Sequence, residues 1–86
     1  MYVVGANVLS DFWRDHPRAE GELRALHALL AGSDSDALVA TLGRIAKFDA
    51  SGAEIGLGTA VVRIEINAPA AIIRYASIAP TQEERA

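Results

Sequence analysis

The chain has 86 residues, 51% of them hydrophobic, no cysteine and a formal net charge of −3. This length predicts one small domain over residues 1–86, and the lack of cysteine excludes disulfides and thiolate metal sites. The acidic balance disfavours nucleic-acid binding through overall charge, although a local basic face is compatible with it. The N-terminus lacks the basic start and cleavage site of a signal peptide, and no apolar run approaches the roughly 20 residues of a membrane span. We therefore expect a cytoplasmic protein without a membrane segment.

The first half of the sequence predicts a strand followed by two helices. Tyr2–Val4 is short and apolar, as expected of a strand, and Asn7 is a suitable N-cap for a helix over residues 7–15. Pro17 cannot continue that helix but suits the first turn of another one, which we expect over residues 17–30. The proline therefore predicts a corner between two helices that pack on the same core. The apolar faces expected of the two helices consist of Val8, Leu9, Phe12 and Trp13, and of Ala19, Leu23, Leu26 and Leu30.

The second half of the sequence predicts a short helix and then strands. Several possible N-caps in residues 33–36 precede a helix over residues 36–42, which Gly43 ends. The hydrophobic period then changes from that of a helix to that of a strand. Residues 44–58 predict a strand, a turn at "DASG" and a second strand interrupted by glycines. Together with a final hairpin, these elements predict an α+β fold, in which an N-terminal strand and two helices are followed by a short helix and an antiparallel sheet.

The final hairpin has the clearest alternation of apolar and polar residues in the chain. Its strands "TAVVRIEIN" and "AIIRYASIA", joined by "NAPA", can be aligned so that one face is entirely apolar. The predicted cross-strand pairs are Ile66 with Ala71, Ile64 with Ile73 and Val62 with Tyr75. The same register places Arg63 directly opposite Arg74 on the other face, which is unfavourable unless an anion or an acidic partner lies beside them. In the alternative interpretation the two arginines only solvate the sheet, with Arg63 paired to Glu65.

Residues 8–25 and the final hairpin follow a pattern found in a known family. The pattern is an apolar pair, Phe-Trp, a charged pair, His-Pro, an acidic position and Leu-Arg-Ala. The residues that match it are Val8, Leu9, Phe12, Trp13, Arg14, Asp15, His16, Pro17, Glu20, Leu23, Arg24 and Ala25. This segment resembles the N-terminal half of HigB-type toxins of the RelE-like superfamily, and "VVRIEI" with "IIRYASI" is similar to the final hairpin of that family. The resemblance implies a small RelE-like α+β domain.

The resemblance also implies a component of a type II toxin–antitoxin system. Its activity would be ribosome-dependent cleavage of mRNA, silenced by an antitoxin protein, so the implied partners are the antitoxin, the ribosome and mRNA. Such cleavage needs no metal or other cofactor, because a base takes the proton of the 2′-hydroxyl, cations stabilise the charged phosphorane and an acid protonates the departing oxygen. We therefore expect cations and at least one titratable group on the exposed face of the sheet.

The catalytic candidates that the resemblance implies are Arg63, Arg74 and Glu84. Arg74 matches the Ile-Arg-aromatic strand of the family, and Arg63 matches a basic position of the preceding strand, which can be aligned in two ways. After the last strand the family has Thr-His-x-Glu-Tyr, whereas this chain has "TQEER", in which Gln82 replaces the histidine and Glu84 stands for the glutamate. Ala60 occupies the approximate position of a family lysine. Because glutamine is not a general acid or base, these departures concern catalysis rather than the fold.

Two further hypotheses therefore stay open. The chain can be a catalytically inactive toxin-like fold that binds another protein as an inhibitor or regulator, of the kind that mobile elements encode. It can also be a structural oligomer that uses the glycine-rich strand as an unprotected edge. We interpret His16 and His27 as structural, and Glu83 and Glu84 as solvated tail charges if they have no catalytic role. The two histidines have no carboxylate at ligand spacing, so no metal site is predicted.

Overall fold

The structure of the protein is a computed structural model that describes residues 1–79. This part of the chain contains three α-helices, one 3-10 turn and five strands. In chain order the elements are β1 (Tyr2–Val4), α1 (Ala6–Asp15), the 3-10 turn (Pro17–Ala19), α2 (Glu20–Gly32), α3 (Ser35–Leu42), β2 (Ala46–Phe48), β3 (Gly52–Gly56), β4 (Ala60–Asn67) and β5 (Ala70–Ile78). The predicted order of elements is confirmed. Gln82, Glu83 and Glu84 lie outside the described residues.

The five strands form one sheet in the order β1-β5-β4-β3-β2. β1 is parallel to β5, and the other neighbouring strands are antiparallel. The fold is therefore a small α+β domain, in which β2–β5 form the predicted antiparallel sheet and β1 joins it in parallel, so that the whole sheet is mixed. The glycine-rich strand β3 lies between β2 and β4, so the hypothesis that it forms an unprotected edge is wrong. The edges of the sheet are β1 and β2, which have 3 residues each.

The start of α1 differs from the prediction. The N-cap is Gly5 rather than Asn7, and the φ of Gly5 is 86°, in the left-handed region that L residues rarely adopt. A Cβ at this position would lie 2.8 Å from the carbonyl oxygen of Ile73, so the close approach of β5 also requires glycine. Asn7 satisfies the capping rule by residue type, but the chain has already turned into the helix before it reaches that residue.

The corner predicted at Pro17 is confirmed. The preceding residue, His16, ends α1 in a non-helical conformation, with φ −131° and ψ 74°, and Pro17 opens the 3-10 turn that leads into α2. The His16 ring lies 4.5 Å from that of Phe12 between centroids, and its backbone N–H donates to the Phe12 carbonyl at 3.0 Å. These contacts agree with a structural role for His16 at the corner.

The third helix has an N-cap of its own. Oδ1 of Asp34 accepts a hydrogen bond from the backbone N–H of Ala37 at 2.8 Å, so that α3 begins one residue earlier than predicted. Leu38 and Leu42 of this helix are buried. None of the helices in residues 1–79 combines the length and the apolar character needed to cross a bilayer.

Helices and strands meet in one apolar core. Its residues, each at most 3% exposed, are Leu9, Ala19, Leu23, Leu26, Leu30, Leu38, Leu42, Ala53, Ile55, Ala60, Val62, Ile64, Ala71 and Ile73. The predicted inner stripe of the second helix is thus confirmed, and Phe12 and Trp13 pack against this core from α1. Among the described residues no polar or charged side chain is buried. Every charged side chain of residues 1–79 is therefore at least partly exposed, and the candidate site must be sought on the surface.

Candidate functional site

The face of the sheet that points away from the core is referred to below as the open face. Along β4, buried residues alternate with partly exposed ones, so that every second side chain points away from the core. Side chains of the open face include those of Tyr2, Val4, Lys47, Glu54, Val61, Arg63, Glu65, Ile72, Arg74, Tyr75 and Ser77, and the turn that carries Asp49 borders this face. Both predicted arginines belong to this face.

The register of the β4–β5 hairpin agrees with the prediction only near its turn. β4 ends at Asn67, β5 begins at Ala70, and the predicted pairs Ile66 with Ala71 and Ile64 with Ile73 are confirmed. Beyond these pairs the register shifts by one residue. Arg63 then lies opposite Tyr75, and Val62 lies opposite Ala76. The predicted pairs Arg63 with Arg74 and Val62 with Tyr75 are therefore wrong.

The shift is a β-bulge in β5 that contains Arg74. Two residues of β5, Arg74 and Tyr75, occupy the length that Arg63 alone occupies in β4, and both are exposed. The bulge keeps Ile73 and Ala76 directed toward the core while it turns both intervening side chains outward. It also removes the directly opposed like charges that an unbroken ladder would create. Strict alternation, on which the sequence prediction depended, cannot reveal an inserted residue.

Arg63 is bound by an aspartate that the sequence analysis did not consider. Its NH1 donates to Oδ2 of Asp49 at 2.8 Å, and its NH2 donates to Oδ1 of Asp49 at 3.1 Å and to Oγ of Ser51 at 3.0 Å. The side chain of Arg63 is only 22% exposed, compared with 52% for that of Asp49. This two-pronged contact has the geometry that guanidinium and carboxylate groups prefer. The partner of Arg63 is therefore Asp49 rather than Glu65.

Asp49 is itself held in place by the turn between β2 and β3. Its Oδ1 accepts hydrogen bonds from the backbone N–H groups of Ser51 and Gly52, both at 2.9 Å. The Arg63 guanidinium, followed by these N–H groups, holds the pKa of Asp49 well below its usual range, and Asp49 in turn raises the pKa of Arg63. The motif "DASG" predicts a turn of this kind, because Asp readily accepts from the backbone two residues on. It gives no indication that the turn faces Arg63.

The three predicted catalytic residues are not brought together. Arg63 is bound to Asp49, Arg74 lies on the neighbouring strand in the bulge, and Glu84 lies outside the described residues. Within residues 1–79, Arg74 forms no hydrogen bond or ion pair. Arg74 is thus the more accessible of the two predicted cations.

A second carboxylate, which the sequence analysis also missed, fixes the turn between β3 and β4. The side chain of Glu22 accepts hydrogen bonds from the N–H groups of Gly58 and Thr59, both at 2.9 Å, and from the Thr59 hydroxyl. These bonds, that of the hydroxyl first, lower the pKa of Glu22. Because Glu22 is in α2, the contact joins the helical layer to the start of β4. Its role is to position the strand.

The helical layer has a groove of its own between α1 and α2. The groove has a volume of about 520 Å³ and includes Trp13, Arg24 and His27 among its lining residues. The guanidinium of Arg24 lies 5.0 Å from the Trp13 ring centroid, and its Nε donates to Glu20 at 2.6 Å. Within residues 1–79, no three His, Asp or Glu side chains converge in the manner of metal ligands. The groove therefore offers one engaged cation and no cluster of reactive groups.

Comparisons of the chain with protein-family models, with curated proteins and with solved structures give no match.

Proposed function

We propose that this chain is a protein-binding domain with a RelE-like toxin fold in which the ribonuclease chemistry has been lost. The observation that carries the proposal is the two-hydrogen-bond ion pair between Asp49 and Arg63, which lies on the face where catalysis would be expected. The family resemblance supports the fold, and the open face provides the binding surface.

The contact between Asp49 and Arg63 opposes RNA cleavage for an electrostatic reason. A cation that stabilises a phosphorane must direct free N–H groups at the phosphate. Both terminal nitrogens of Arg63 are already bonded to Asp49, and NH2 also contacts Ser51. A phosphate would have to displace a carboxylate that the backbone of Ser51 and Gly52 also holds. Its negative charge would also be placed beside that of Asp49.

The charge balance of the open face supports a protein partner rather than RNA. Three cations, Lys47, Arg63 and Arg74, share this surface with the carboxylates of Glu54, Glu65 and Asp49. RNA-binding surfaces are predominantly basic, because they neutralise phosphates. A surface with both signs of charge and no excess of either instead suits a protein partner whose own charges are complementary to it.

Exposed apolar side chains on β1 and β5 also favour a protein partner. Tyr2 is 73% exposed, Val4 50% and Tyr75 47%, and all three lie on β1 or β5. Ile72 lies beside Val4 on the same side of the sheet. Tyrosine and aliphatic groups in one region are the usual centre of a protein interface. This region and the charged groups next to it form a continuous surface.

The proposal is tested by measuring mRNA cleavage and complex formation with the full chain. With programmed ribosomes we expect no cleavage at codon boundaries, either by the wild type or by Asp49→Ala, which frees Arg63. In its host, the tagged chain is expected in a stoichiometric complex that Val4→Lys disrupts. Val39→Lys is a matched control, because Val39 lies on α3 and is exposed to nearly the same extent, 52% against 50% for Val4. Cleavage by the wild type would contradict the proposal.

The exposure of Arg74 favours a second candidate function, that of an active toxin. This guanidinium is unpaired within residues 1–79 and matches the family's arginine on the last strand. In this case the chain would cleave ribosome-bound mRNA in the cytoplasm with Arg74, Arg63 and Glu84, and an antitoxin would silence it. Expression would then arrest growth, and Arg74→Ala would relieve the arrest while Arg18→Ala, at an exposed position of the 3-10 turn, would not. A harmless wild-type chain would contradict this candidate.

A further inference from the structure

We propose that the open face is the interface of a symmetric dimer of this chain, in which Arg74 of each copy contacts Glu65 of the other. The inference rests on the proposed function, because it takes the open face to bind protein, and it identifies the partner as a second copy. Three features of the described residues support it: unpaired charges of opposite sign, their placement about an apolar residue, and the extent of the face.

The first feature is that Arg74 and Glu65 are both left without a charged partner. Of the other arginines in residues 1–79, Arg14 lies 3.8 Å from Asp11, Arg24 2.6 Å from Glu20 and Arg63 2.8 Å from Asp49, whereas Arg18 and Arg44 form no ion pair. Within residues 1–79, neither Arg74 nor Glu65 forms an ion pair or a side-chain hydrogen bond. Among the described residues of this face, Arg74 and Glu65 are therefore available to a partner, as are Lys47 and Glu54.

The second feature is the placement of these two charges around Ile72. Glu65 of β4 lies directly opposite Ile72 of β5, and Arg74 follows Ile72 by two residues. A two-fold axis in the interface, running midway between Arg74 and Glu65, therefore passes close to both Ile72 and Arg63. Such an axis exchanges the two charges and brings Ile72 against its own copy, as an interface between identical surfaces requires. Each Arg74 then meets a Glu65, and the two contacts lie on either side of a centre formed by Ile72 and by Arg63, whose charge is paired with that of Asp49.

The neighbours of Ile72 enlarge the apolar part of this centre. Val4 is paired with Ile72 across β1 and β5, and Tyr75 follows Arg74 in the bulge. Because the bulge turns both side chains outward, Arg74 and Tyr75 are neighbouring exposed residues of the open face. An arginine among aromatic and aliphatic side chains is a common arrangement at the centre of interfaces.

The third feature is the size of the open face. Five strands about 4.8 Å apart and an 8-residue central strand rising about 3.3 Å per residue span a flat area on the order of 500 Å². The accessible surface of the face is larger than this flat area, because side chains project from the sheet. An interface of standard size buries roughly 800 Å² of accessible surface on each partner. The sheet edges, by contrast, have 3 residues each and offer little backbone for strand addition. A second copy is therefore expected on the face rather than at an edge.

Charge reversal tests the dimer directly, with sedimentation velocity of the full chain from low micromolar to near-millimolar concentration as the measurement. The wild type is expected to form a dimer. Arg74→Glu alone and Glu65→Arg alone should each weaken self-association at least about tenfold, because each places like charges together at both symmetry-related contacts. An equimolar mixture of the two variants should associate again, since the mixed dimer restores opposite charges at both contacts. The double variant Arg74→Glu/Glu65→Arg should also recover the dimer.

A matched control and a check of folding accompany these variants. Arg18→Glu reverses a charge at an exposed position of the 3-10 turn, outside the open face, and should change self-association by less than about threefold. Circular dichroism and thermal unfolding of each variant verify that the fold is retained. Each variant is also measured alone, where its self-association is weakened. If the same two samples associate when they are mixed, unfolding cannot explain the weakening, because unfolded chains would not form the mixed dimer.

Several results would overturn the dimer. These are a monomeric wild type over the whole concentration range, single reversals without effect, or no recovery in the mixture. A monomer that still forms the Val4-dependent complex with another protein would overturn the dimer but leave the proposed function intact. RNA cleavage by the wild type would overturn the proposed function itself. A further outcome is that the full chain is monomeric and that only a chain without residues 80–86 associates. This result would assign the open face to the chain's own C-terminal segment, and it too would overturn the dimer.

Discussion

The two faces of the β4–β5 hairpin are made by neighbouring residues but are specified in different ways. The face toward the helices is entirely apolar, with Val62, Ile64 and Ile73 at most 3% exposed. The open face mixes charged, aromatic and aliphatic groups, and the groups that meet there come from separate parts of the chain, as Asp49 and Arg63 do. Burial in the hairpin therefore follows local alternation, whereas charge pairing follows the long-range geometry of the sheet.

The sharpest test of this comparison uses two adjacent valines of β4. Val62 is fully buried and Val61 lies on the open face. Val62→Ala should lower the free energy of unfolding by about 2–3 kcal/mol, since it removes buried methyl groups and leaves a cavity. Val61→Ala makes the same chemical change and should lower it by less than about 1 kcal/mol. Chemical denaturation measures both, and equal losses would contradict the assignment of the two faces.

The junction between the helical layer and the sheet is tested by two glycines. Gly5→Ala should destabilise the protein by about 1–2 kcal/mol, because it combines a positive φ with a close approach to the Ile73 carbonyl. Gly21→Ala is the matched control, since no atom lies within 4 Å of a Cβ built in this exposed turn of α2. It should stabilise the protein by about 0.5–1 kcal/mol. If both substitutions had the same sign, the left-handed cap at Gly5 would be refuted.

The Asp49–Arg63 contact is tested by Asp49→Asn, with unfolding measured as a function of pH. At neutral pH the substitution should lower Tm, though by less than Val62→Ala does, because an exposed ion pair is screened by solvent. The pKa of Asp49 is lowered in the folded protein, so its contribution is present above the ordinary carboxyl pKa of about 3.9 and is lost as the pH falls further. The Tm difference between wild type and variant should therefore shrink below about pH 4. Glu54→Gln, on the same face, serves as control, and a pH-independent difference would contradict the contact.

The smallest effect is expected for Glu22→Gln. The carboxylate accepts three hydrogen bonds from the β3–β4 turn, and they lower its pKa in the folded state. This contribution is present above the ordinary glutamate pKa of about 4.3 and is lost as the pH falls through the lowered folded value. A modest loss of Tm at neutral pH should therefore vanish in acid. Amide hydrogen exchange at Gly58 and Thr59 should rise in the variant, and unchanged exchange there would show that Glu22 does not hold the turn.

The features predicted correctly from the sequence are those that local patterns determine. Alternation on β4 identified Val62 and Ile64 as core residues, and Pro17 identified the corner between the helices, because both depend on neighbours in the chain. The parallel placement of β1 beside β5 depends on how α1 and α2 return the chain across the sheet. No residue pattern within β1 encodes that placement.

The features that were missed depend on contacts between distant residues or on an irregularity. The partners Asp49 and Arg63 are 14 residues apart, and Glu22 is 37 residues from Thr59. The N-cap predicted at Asn7 was wrong because α1 begins two residues earlier, after Gly5. Gly5 is required there by its positive φ and by the close approach of the Ile73 carbonyl, and Ile73 is far along the chain. The candidate site was accordingly predicted with Arg63 and Arg74 directly opposite each other, together with Glu84. The structure makes the two arginines different, one bound and one exposed.

The bulge means that the hairpin contains one residue more than its ladder requires. Between Ile73 and Ala76 there are two residues, whereas between Val62 and Ile64 there is one. Deleting Arg74 would leave two strands of matched length, with each remaining side chain on its present side. Pairing of the two strands therefore does not require Arg74. A chain that lacks this one residue would keep the fold but lose this exposed cation of the open face.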